Sequence, residues 1–332
     1  MWARNREVGV LYPLTFHPIF RERVWGGRSL ARLYCKPLPF RIPIGESWEI
    51  SDRPGDVSVV AGGPLAGKDL RWLMENHGAE LLGAAQPQKG RFPLLIKILD
   101  AAEKLSLQVH PPPAKAAALG GEPKSEMWYI ADAAPGAELH VGLRHGVTRA
   151  DFERKIRDGT VADCLHCLAV RAGDAIFLPS GRVHAIGGGN VIFEVQQNSD
   201  TTYRVFDWNR PGLDGKPREL HVAQSLASIN FTDFEPELIQ SQPKDMRGGT
   251  VRPLVNDPLF AVEFVSMRSS QSVSWDVQAC TMFGVAEGQV TVTAVGHSIE
   301  LRAGGFCMVP ACVKTVELRA KTPAAFLKIT AR

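Results

Sequence analysis

The chain has 332 residues, of which 45% are hydrophobic and 22% are charged, and its net charge is +3. This composition is typical of a globular protein with a sizeable core, and the length suits two domains or one large all-β domain with additions. No run of lysine and arginine indicates a nucleic acid partner, and no apolar run approaches the roughly 20 residues that span a bilayer. Residues 1–18 also lack the apolar stretch of a signal peptide, so we expect a cytoplasmic protein without a membrane partner.

Short β-rich runs, separated by glycine, proline and polar turns, dominate the chain. Three segments instead predict helices. Residues 69–82 have the apolar spacing of an amphipathic helix, residues 148–157 begin with a threonine N-cap followed by Asp151 in the first turn, and residues 220–229 are a third candidate. The predicted strands of this part are 57–60, 94–99, 105–109, 127–131, 138–143, 168–170, 175–178, 191–195 and 202–206.

The C-terminal part has a different organisation. Residues 231–257 are rich in proline, glycine and charge, which predicts a connector. Residues 260–329 then alternate apolar and polar side chains, which is typical of the strands of a sandwich or jelly roll. A glycine, five residues and a proline occur both at 173–179 and at 304–310, but the position of His184 in the first copy is Thr315 in the second. The second copy therefore predicts a β-domain that has lost its metal ligand.

The six cysteines are scattered, so we expect reduced thiols. The run Cys164-Leu165-His166-Cys167 is similar to half of a zinc ribbon. No second pair lies at ribbon spacing and the neighbouring residues are apolar. We therefore expect ordinary thiols at these positions.

Four side chains form the most informative set: Gln108, His110, Glu126 and His184. Each lies on or beside a predicted strand. Gln108 and His110 are two residues apart, which places them on one face of a strand at a spacing of about 7 Å, and Pro111 ends that strand. Two imidazole nitrogens and two oxygens suit a borderline divalent ion such as zinc.

The spacing from Gly173 through Pro179 and Gly181 to His184 resembles the second metal-binding motif of cupins. The asparagine expected four residues later is absent, since Gly188 stands there. The first cupin motif would be His-x-His followed by a glutamate, and here Gln108 replaces its first histidine.

A glutamine in place of the first histidine of this motif is characteristic of one family. The chain resembles class I mannose-6-phosphate isomerases in their short bacterial form, nearly from end to end. Several motifs carry the resemblance in the right order: Pro18 to Gly27, Gly45 to Ser51, Leu105 to Pro111, Lys124 to Ile130, Pro179 to Gly187 and Gln196 to Trp208. Two departures, Pro112-Pro113 after His110 and Pro123-Lys124-Ser125 before Glu126, flank ligands without replacing any.

The resemblance implies a mainly β protein of cupin-type jelly rolls (double-stranded β-helices) with a few short helices. It implies one zinc ion per chain, held by the four side chains named above. It places the catalytic arginine at Arg204 and an acidic residue near the metal at Glu194. The residues that it implies for substrate binding are Lys97, Ser106, Arg210, Glu46 and Trp25.

The implied activity is the interconversion of D-mannose 6-phosphate and D-fructose 6-phosphate through an enediol, by a monomer or a small homo-oligomer. The general base stays open between Glu194, Lys104 and a metal-bound water. Two alternatives remain. His110, Glu126 and His184 alone resemble the facial triad of an iron oxygenase, and a non-catalytic sugar-phosphate sensor could keep the same pocket.

The expected organisation has three parts. Residues 1–230 form the metal-binding catalytic region of cupin type with helical insertions. Residues 231–257 form the connector, and residues 258–332 form a metal-free, cupin-like β-domain.

Overall fold

The structure, a computed structural model, describes residues 11–332. Predictions that rest on residues 1–10, including part of the signal-peptide argument, lie outside the described residues. Among the described residues, no helix is both long enough and apolar enough to cross a membrane. Strands outnumber helices throughout, which confirms the mainly β fold class.

The chain forms two compact units. The first consists of His17–Ser58 and Pro93–Ser241, and the second consists of Val59–Phe92 and Gln242–Arg332 with the described residues up to Phe16. The strands of the first unit are β1 Ile19–Gly27, β2 Ile44–Ile50, β3 Asp52–Arg53, β4 Asp56–Val57, β5 Leu94–Ala101, β6 Leu107–Val109, β7 Glu126–Ala133, β8 Glu138–Leu143, β9 Leu165–Ala169, β10 Ala175–Leu178, β11 His184–Ile186, β12 Asn190–Gln197 and β13 Tyr203–Phe206.

The first unit is a sandwich of two antiparallel sheets. One sheet has the strand order β1-β2-β5-β12-β7-β10, and the other has the order β13-β6-β11-β8-β9. Buried side chains from both sheets, such as Trp128 and Ile192 from one and Val141 and Ile186 from the other, form a common core. The burial of these inward-facing apolar side chains therefore drives the two sheets together and produces the jelly roll.

The second unit repeats this design. Its strands are β14 Lys244–Met246, β15 Gly249–Asn256, β16 Phe260–Met267, β17 Ser272–Asp276, β18 Thr281–Glu287, β19 Gln289–Ala294, β20 His297–Arg302, β21 Phe306–Val309, β22 Thr315–Ala320 and β23 Ala324–Ala331. They pair as a six-stranded sheet, β14-β15-β16-β23-β18-β21, and a four-stranded sheet, β17-β22-β19-β20. Phe283 and Phe326 of the six-stranded sheet pack against Val292 and Leu318 of the four-stranded sheet.

All three predicted helices are present, and residues 11–332 contain two further helices that were not predicted. At the helix predicted over residues 148–157, the Thr148 hydroxyl accepts a hydrogen bond from the Asp151 amide at 3.1 Å, as an N-cap should. Asp69 caps the earlier helix by accepting from the Trp72 amide at 2.7 Å. The helices are α1 Ser29–Tyr34, α2 Leu70–Leu82, α3 Pro113–Ala116, α4 Arg149–Arg157 and α5 Val222–Ser228, with 3₁₀ turns at Ala117–Leu119, Val161–Cys164 and Ala311–Val313.

The segment expected as a connector, residues 231–257, contains the strands β14 and β15. Pro253, one of the residues that suggested a loop, lies in β15 at a shift in register with β16. Prolines within sheets occur at such irregularities and at edges, where the ladder needs no hydrogen bond from their nitrogen. The division of the chain at residues 230 and 257 remains a prediction.

Candidate metal centre and its cavity

Strand pairing brings the predicted ligands together on the inner face of the first unit. Gln108 on β6 lies opposite His184 on β11, and on its other side it lies opposite Arg204 on β13. Directly opposed residues of antiparallel strands point to the same face, so these three side chains share one surface. His110 follows β6, and Glu126 is the first residue of β7 in the opposing sheet. The predicted ligands therefore come from both sheets of the sandwich.

Three of these side chains meet in a buried cluster. Nε2 of His110 lies 3.5 Å from Oε2 of Glu126, and Nε2 of His184 lies 3.3 Å from Oε1. Each side chain is at most 2% exposed. Neither histidine Nε2 has a hydrogen-bond partner among residues 11–332. Buried polar atoms without partners are costly, and these two nitrogens, which converge with the Glu126 carboxylate, fit a bound divalent ion.

The backbone holds both histidines in the tautomer that a metal requires. Nδ1 of His110 is 2.8 Å from the carbonyl oxygen of Thr201, and Nδ1 of His184 is 2.9 Å from that of Arg182. A carbonyl oxygen can only accept, so Nδ1 must carry the proton in each ring. The Nε2 lone pair then points into the cluster, which is the usual arrangement of a metal-ligating histidine.

The charges around the cluster keep the ligands in their binding forms. Burial, the nearby Lys124 and the neighbouring His110 lower the pKa of His184 to about 3, so its ring is neutral. Burial alone would raise the pKa of Glu126, but the ammonium group of Lys124 holds it well below its ordinary value. Nζ of Lys124 lies 2.8 Å from Oε2 of Glu126. Glu126 is therefore an anion with a buried counter-charge.

A second network of charges lies beside the cluster. Glu46 accepts hydrogen bonds from Nε of Arg23 at 2.7 Å and from the Trp48 indole at 2.6 Å. Nζ of Lys97, on β5, lies 3.7 Å from Glu46 and 3.3 Å from Glu194. Lys97 and Glu194 are opposed across β5 and β12, so their contact follows from strand register.

The two carboxylates of this network differ in their affinity for a proton. Burial would raise the pKa of Glu46, but Lys97 and Arg23 lower it to about 2. Burial raises the pKa of Glu194 above its ordinary value, against the effect of Lys97 and with the support of the Glu126 charge. Glu194 is therefore the carboxyl group of the two with the higher affinity for a proton.

These groups surround a cavity of about 520 Å³. The fully buried His110, Glu126 and His184 lie behind its wall, to which they are joined by Gln108 and Lys124. Seven residues predicted from the sequence line the cavity: Trp25, Glu46, Lys97, Ser106, Gln108, Glu194 and Arg204.

Two predicted residues lie elsewhere. Arg210 is not among the lining residues, and its guanidinium contacts Asp207 at 3.2 Å and Glu103 at 3.7 Å. Nζ of Lys104, an alternative general base, lies 3.9 Å from the centre of the Trp208 ring and also does not line the cavity.

Sequence reasoning missed three cationic residues that line the cavity, Arg23, Lys124 and Arg218. Lys124 lines the cavity and contacts Glu126, and its only sequence signal was its place two residues before a ligand. Arg218 also lines the cavity, and Asp207 accepts two hydrogen bonds from it, both at 2.6 Å. Nη1 of Arg204 donates to the Glu219 carbonyl at 2.7 Å, while its buried Nε has no partner within the described chain.

A jelly-roll sandwich with a buried His-Glu-His cluster on its inner face is characteristic of cupin-type proteins with a metal cofactor. The comparisons with known proteins narrow this class. A family model described as phosphomannose isomerase type I, catalytic domain, matches residues 14–137. The chain is 33% identical over 302 residues to a probable mannose-6-phosphate isomerase, GmuF, of Bacillus subtilis, covering 90% of this chain and 94% of that one.

Two further similarities agree. A mannose-6-phosphate isomerase of Streptococcus mutans is 35% identical over 305 residues, covering 91% of this chain and 94% of that one. The crystal structure of the mannose 6-phosphate isomerase of Bacillus subtilis matches with a TM-score of 0.88 at 30% identity, covering 96% of this chain and 99% of the other. The chain belongs to the type I mannose-6-phosphate isomerases, a family of aldose–ketose isomerases.

Proposed function

We propose that the protein interconverts D-mannose 6-phosphate and D-fructose 6-phosphate in the 520 Å³ cavity, with one zinc ion held by Gln108, His110, Glu126 and His184. The observation that carries the proposal is the pair of buried Nε2 atoms without partners, with both Nδ1 atoms bonded to the main chain. A cavity whose lining includes Lys97, Arg204 and Arg218 lies directly beside them.

Zinc is favoured over iron by the donor set. Two neutral nitrogens, one carboxylate and one amide oxygen leave the ion strongly electrophilic. An iron oxygenase would keep three ligands and open positions, whereas Gln108 stands opposite His184 as a fourth donor. A mannose 6-phosphate isomerase of the same fold, at a TM-score of 0.73 and 18% identity, has been crystallised with zinc. When bound, the ion would polarise a sugar oxygen as a Lewis acid.

Glu194 is the general base in this proposal. Its raised pKa places it closer to neutrality than an ordinary glutamate. Its carboxylate takes the proton from C2 of the aldose and returns it to C1, while the hydroxyl proton of O2 passes to O1, which gives the ketose through the enediol. Lys97, 3.3 Å from Glu194, holds that carboxylate in place, and Glu46 holds Lys97 from the other side.

Arg204 stabilises the negative charge that develops on the enediol oxygens. It lies beside Gln108 on the neighbouring strand, and its buried Nε has no partner among the described residues. A permanent cation at this place favours the charged intermediate over the neutral sugar.

The phosphate group binds at the far wall of the cavity, in our proposal to Arg218 together with the predicted Ser106. Asp207 engages Nε and Nη2 of Arg218, so the planar guanidinium is already oriented. Arg210 contacts the same carboxylate from outside the cavity wall. We propose that Arg210 supports this wall, and its direct contact with substrate remains a prediction. Trp25 and Glu46 also line the cavity and shape it in this proposal.

We further propose that catalysis belongs to the segment up to residue 230 and that residues 258–332 hold no metal. Among the described residues, the groups of side chains that could hold a metal all fall between residues 110 and 184. One ion per chain at the catalytic site is the expected content.

The deciding experiment measures fructose 6-phosphate formed from mannose 6-phosphate by the purified protein. Treatment with a chelator should abolish turnover, and added zinc should restore it. Glu126→Gln should lose both metal and turnover, whereas Glu153→Gln, at an exposed ion pair of α4, should keep both. Sugar-phosphate binding without turnover by the zinc-loaded protein would instead support a sensor, and iron-dependent oxygen uptake would support an oxygenase.

A further inference from the structure

A second group of metal-binding side chains lies on the outer face of the five-stranded sheet. His140 on β8 is directly opposite Cys167 on β9, and Glu138 lies two residues before His140 on the same face. His140 is also opposite Ala185, whereas Val141 is opposite His184. Because neighbouring residues of a strand point to opposite faces, this group is separated from the catalytic cluster by the sheet itself.

The three ligand atoms are already close together. The Cys167 thiol donates to Oε2 of Glu138 at 3.0 Å, and Nε2 of His140 lies 3.2 Å from Oε1 of Glu138. All of these atoms lie within 4.8 Å of one another. A tetrahedral zinc ion, at about 2.0 Å from nitrogen and oxygen and about 2.3 Å from sulfur, separates its ligand atoms by roughly 3.2 to 3.7 Å. The observed separations of 3.0 and 3.2 Å are close to this range.

The other thiol of the zinc-ribbon-like run takes no part. All six cysteines are free, as the sequence analysis predicted. Cys164 is 1% exposed and packs in the hydrophobic core beneath α4, while Cys167 is exposed on β9. The ligand partners of Cys167 therefore come from the neighbouring strand β8 and not from its own motif.

The charges of the group suit a divalent cation. Burial and the charge of Lys104 lower the pKa of His140 despite the opposing charge of Glu138, so its ring is neutral and free to coordinate. Burial and the Glu138 carboxylate raise the pKa of the Cys167 thiol to about 11, so an arriving cation must displace its proton. One thiolate and one carboxylate then neutralise the +2 ion.

We propose that Glu138, His140 and Cys167 form a second divalent-metal site of zinc type, with water from the open surface as the fourth ligand. The site is more exposed than the catalytic one, since the Glu138 side chain is 47% exposed. It has one protein ligand fewer than the set proposed for the catalytic ion. It therefore fills after the catalytic site, when free metal is in excess.

Cobalt(II) distinguishes this site from the catalytic one. The catalytic ligands offer only nitrogen and oxygen, so a sulfur-to-cobalt charge-transfer band in the near ultraviolet reports a thiolate ligand alone. Metal-free protein titrated with cobalt should bind two ions per chain, and the band should rise with the second ion. Cys167→Ser should bind one ion, show no band and keep wild-type isomerase activity. Cys35→Ser, at another exposed free thiol, should behave as wild type.

His140→Ala provides a second test. The affinity for the cobalt ion that gives the band should fall by about tenfold or more, while the catalytic ion stays bound. The absence of a band at excess cobalt, or a band that persists in Cys167→Ser, overturns the proposal. Loss of catalytic metal in Cys167→Ser also overturns it, because the two sites would then not be separate.

Discussion

The buried ion pair between Lys124 and Glu126 gives the sharpest prediction about stability. Its two side chains are 6% and 0% exposed, and their charged atoms are 2.8 Å apart. In the metal-free protein the ammonium group is the near counter-charge of a ligand that no longer holds an ion. Lys124→Met removes this charge and keeps an unbranched side chain of similar length.

The expected cost depends on the metal. Removing one partner of a buried ion pair typically costs about 3–5 kcal/mol, because an uncompensated charge is left in the interior. We expect this loss in the free energy of unfolding of the metal-free variant. With zinc bound, the ion replaces the missing counter-charge, and only the change in packing remains, at about 1.5 kcal/mol or less. The variant should therefore gain more stability from zinc than the wild type does.

Denaturant unfolding followed by circular dichroism, with a chelator and with zinc, measures both quantities. Lys155→Met is the matched control. Lys155 forms an ion pair with Asp163 at the same distance of 2.8 Å, but on the exposed surface, where such pairs contribute little and do not depend on the metal. A Lys124→Met variant with the same loss of stability in both conditions, or with none, would refute the counter-charge role.

Three further outcomes concern catalysis. Arg204→Ala should lower kcat/KM by about 10²–10³-fold at unchanged metal content, as expected for a group that stabilises transition-state charge, and full activity in this variant contradicts its role. The raised pKa of Glu194 predicts that wild-type kcat/KM falls as the pH drops towards and below that pKa. The reason is that a protonated carboxyl group cannot accept the proton from C2. In Glu194→Gln the residual activity should not show this decrease at low pH. Arg218→Ala should raise KM for the sugar phosphate by about tenfold or more, whereas Arg210→Ala, which disturbs the same Asp207, should change it little. A larger rise of KM in Arg210→Ala than in Arg218→Ala would instead favour the sequence-based assignment of Arg210 to substrate binding.

Residues that belong to regular strands could be placed from the sequence. The two-residue spacing of Gln108 and His110 and the motif that ends in His184 predict one shared face, and the register of β6 with β11 agrees with it. Likewise, the cap at Thr148 could be predicted because a threonine N-cap acts through neighbouring residues only.

The residues that were missed depend on turns or on long-range pairing. Trp208 and Asn209 both adopt positive φ, 57° and 55°, and neither position is a glycine that would indicate the turn in the sequence. Which arginine of the following loop faces the cavity therefore could not be predicted. Lys124 lies in a loop without periodicity, and its partner Glu126 was assigned to the metal alone. Pro253 favoured the prediction of a connector, but it lies in strand β15 next to an irregularity in register.

The hydrogen bonds that orient the two metal-ligating histidines end on the carbonyl oxygens of Thr201 and Arg182. Every amino acid supplies a carbonyl oxygen, so substitution at these two positions leaves the acceptors in place. The orientation of the two histidine rings therefore depends on the backbone path of those two loops and not on the chemical identity of the two side chains.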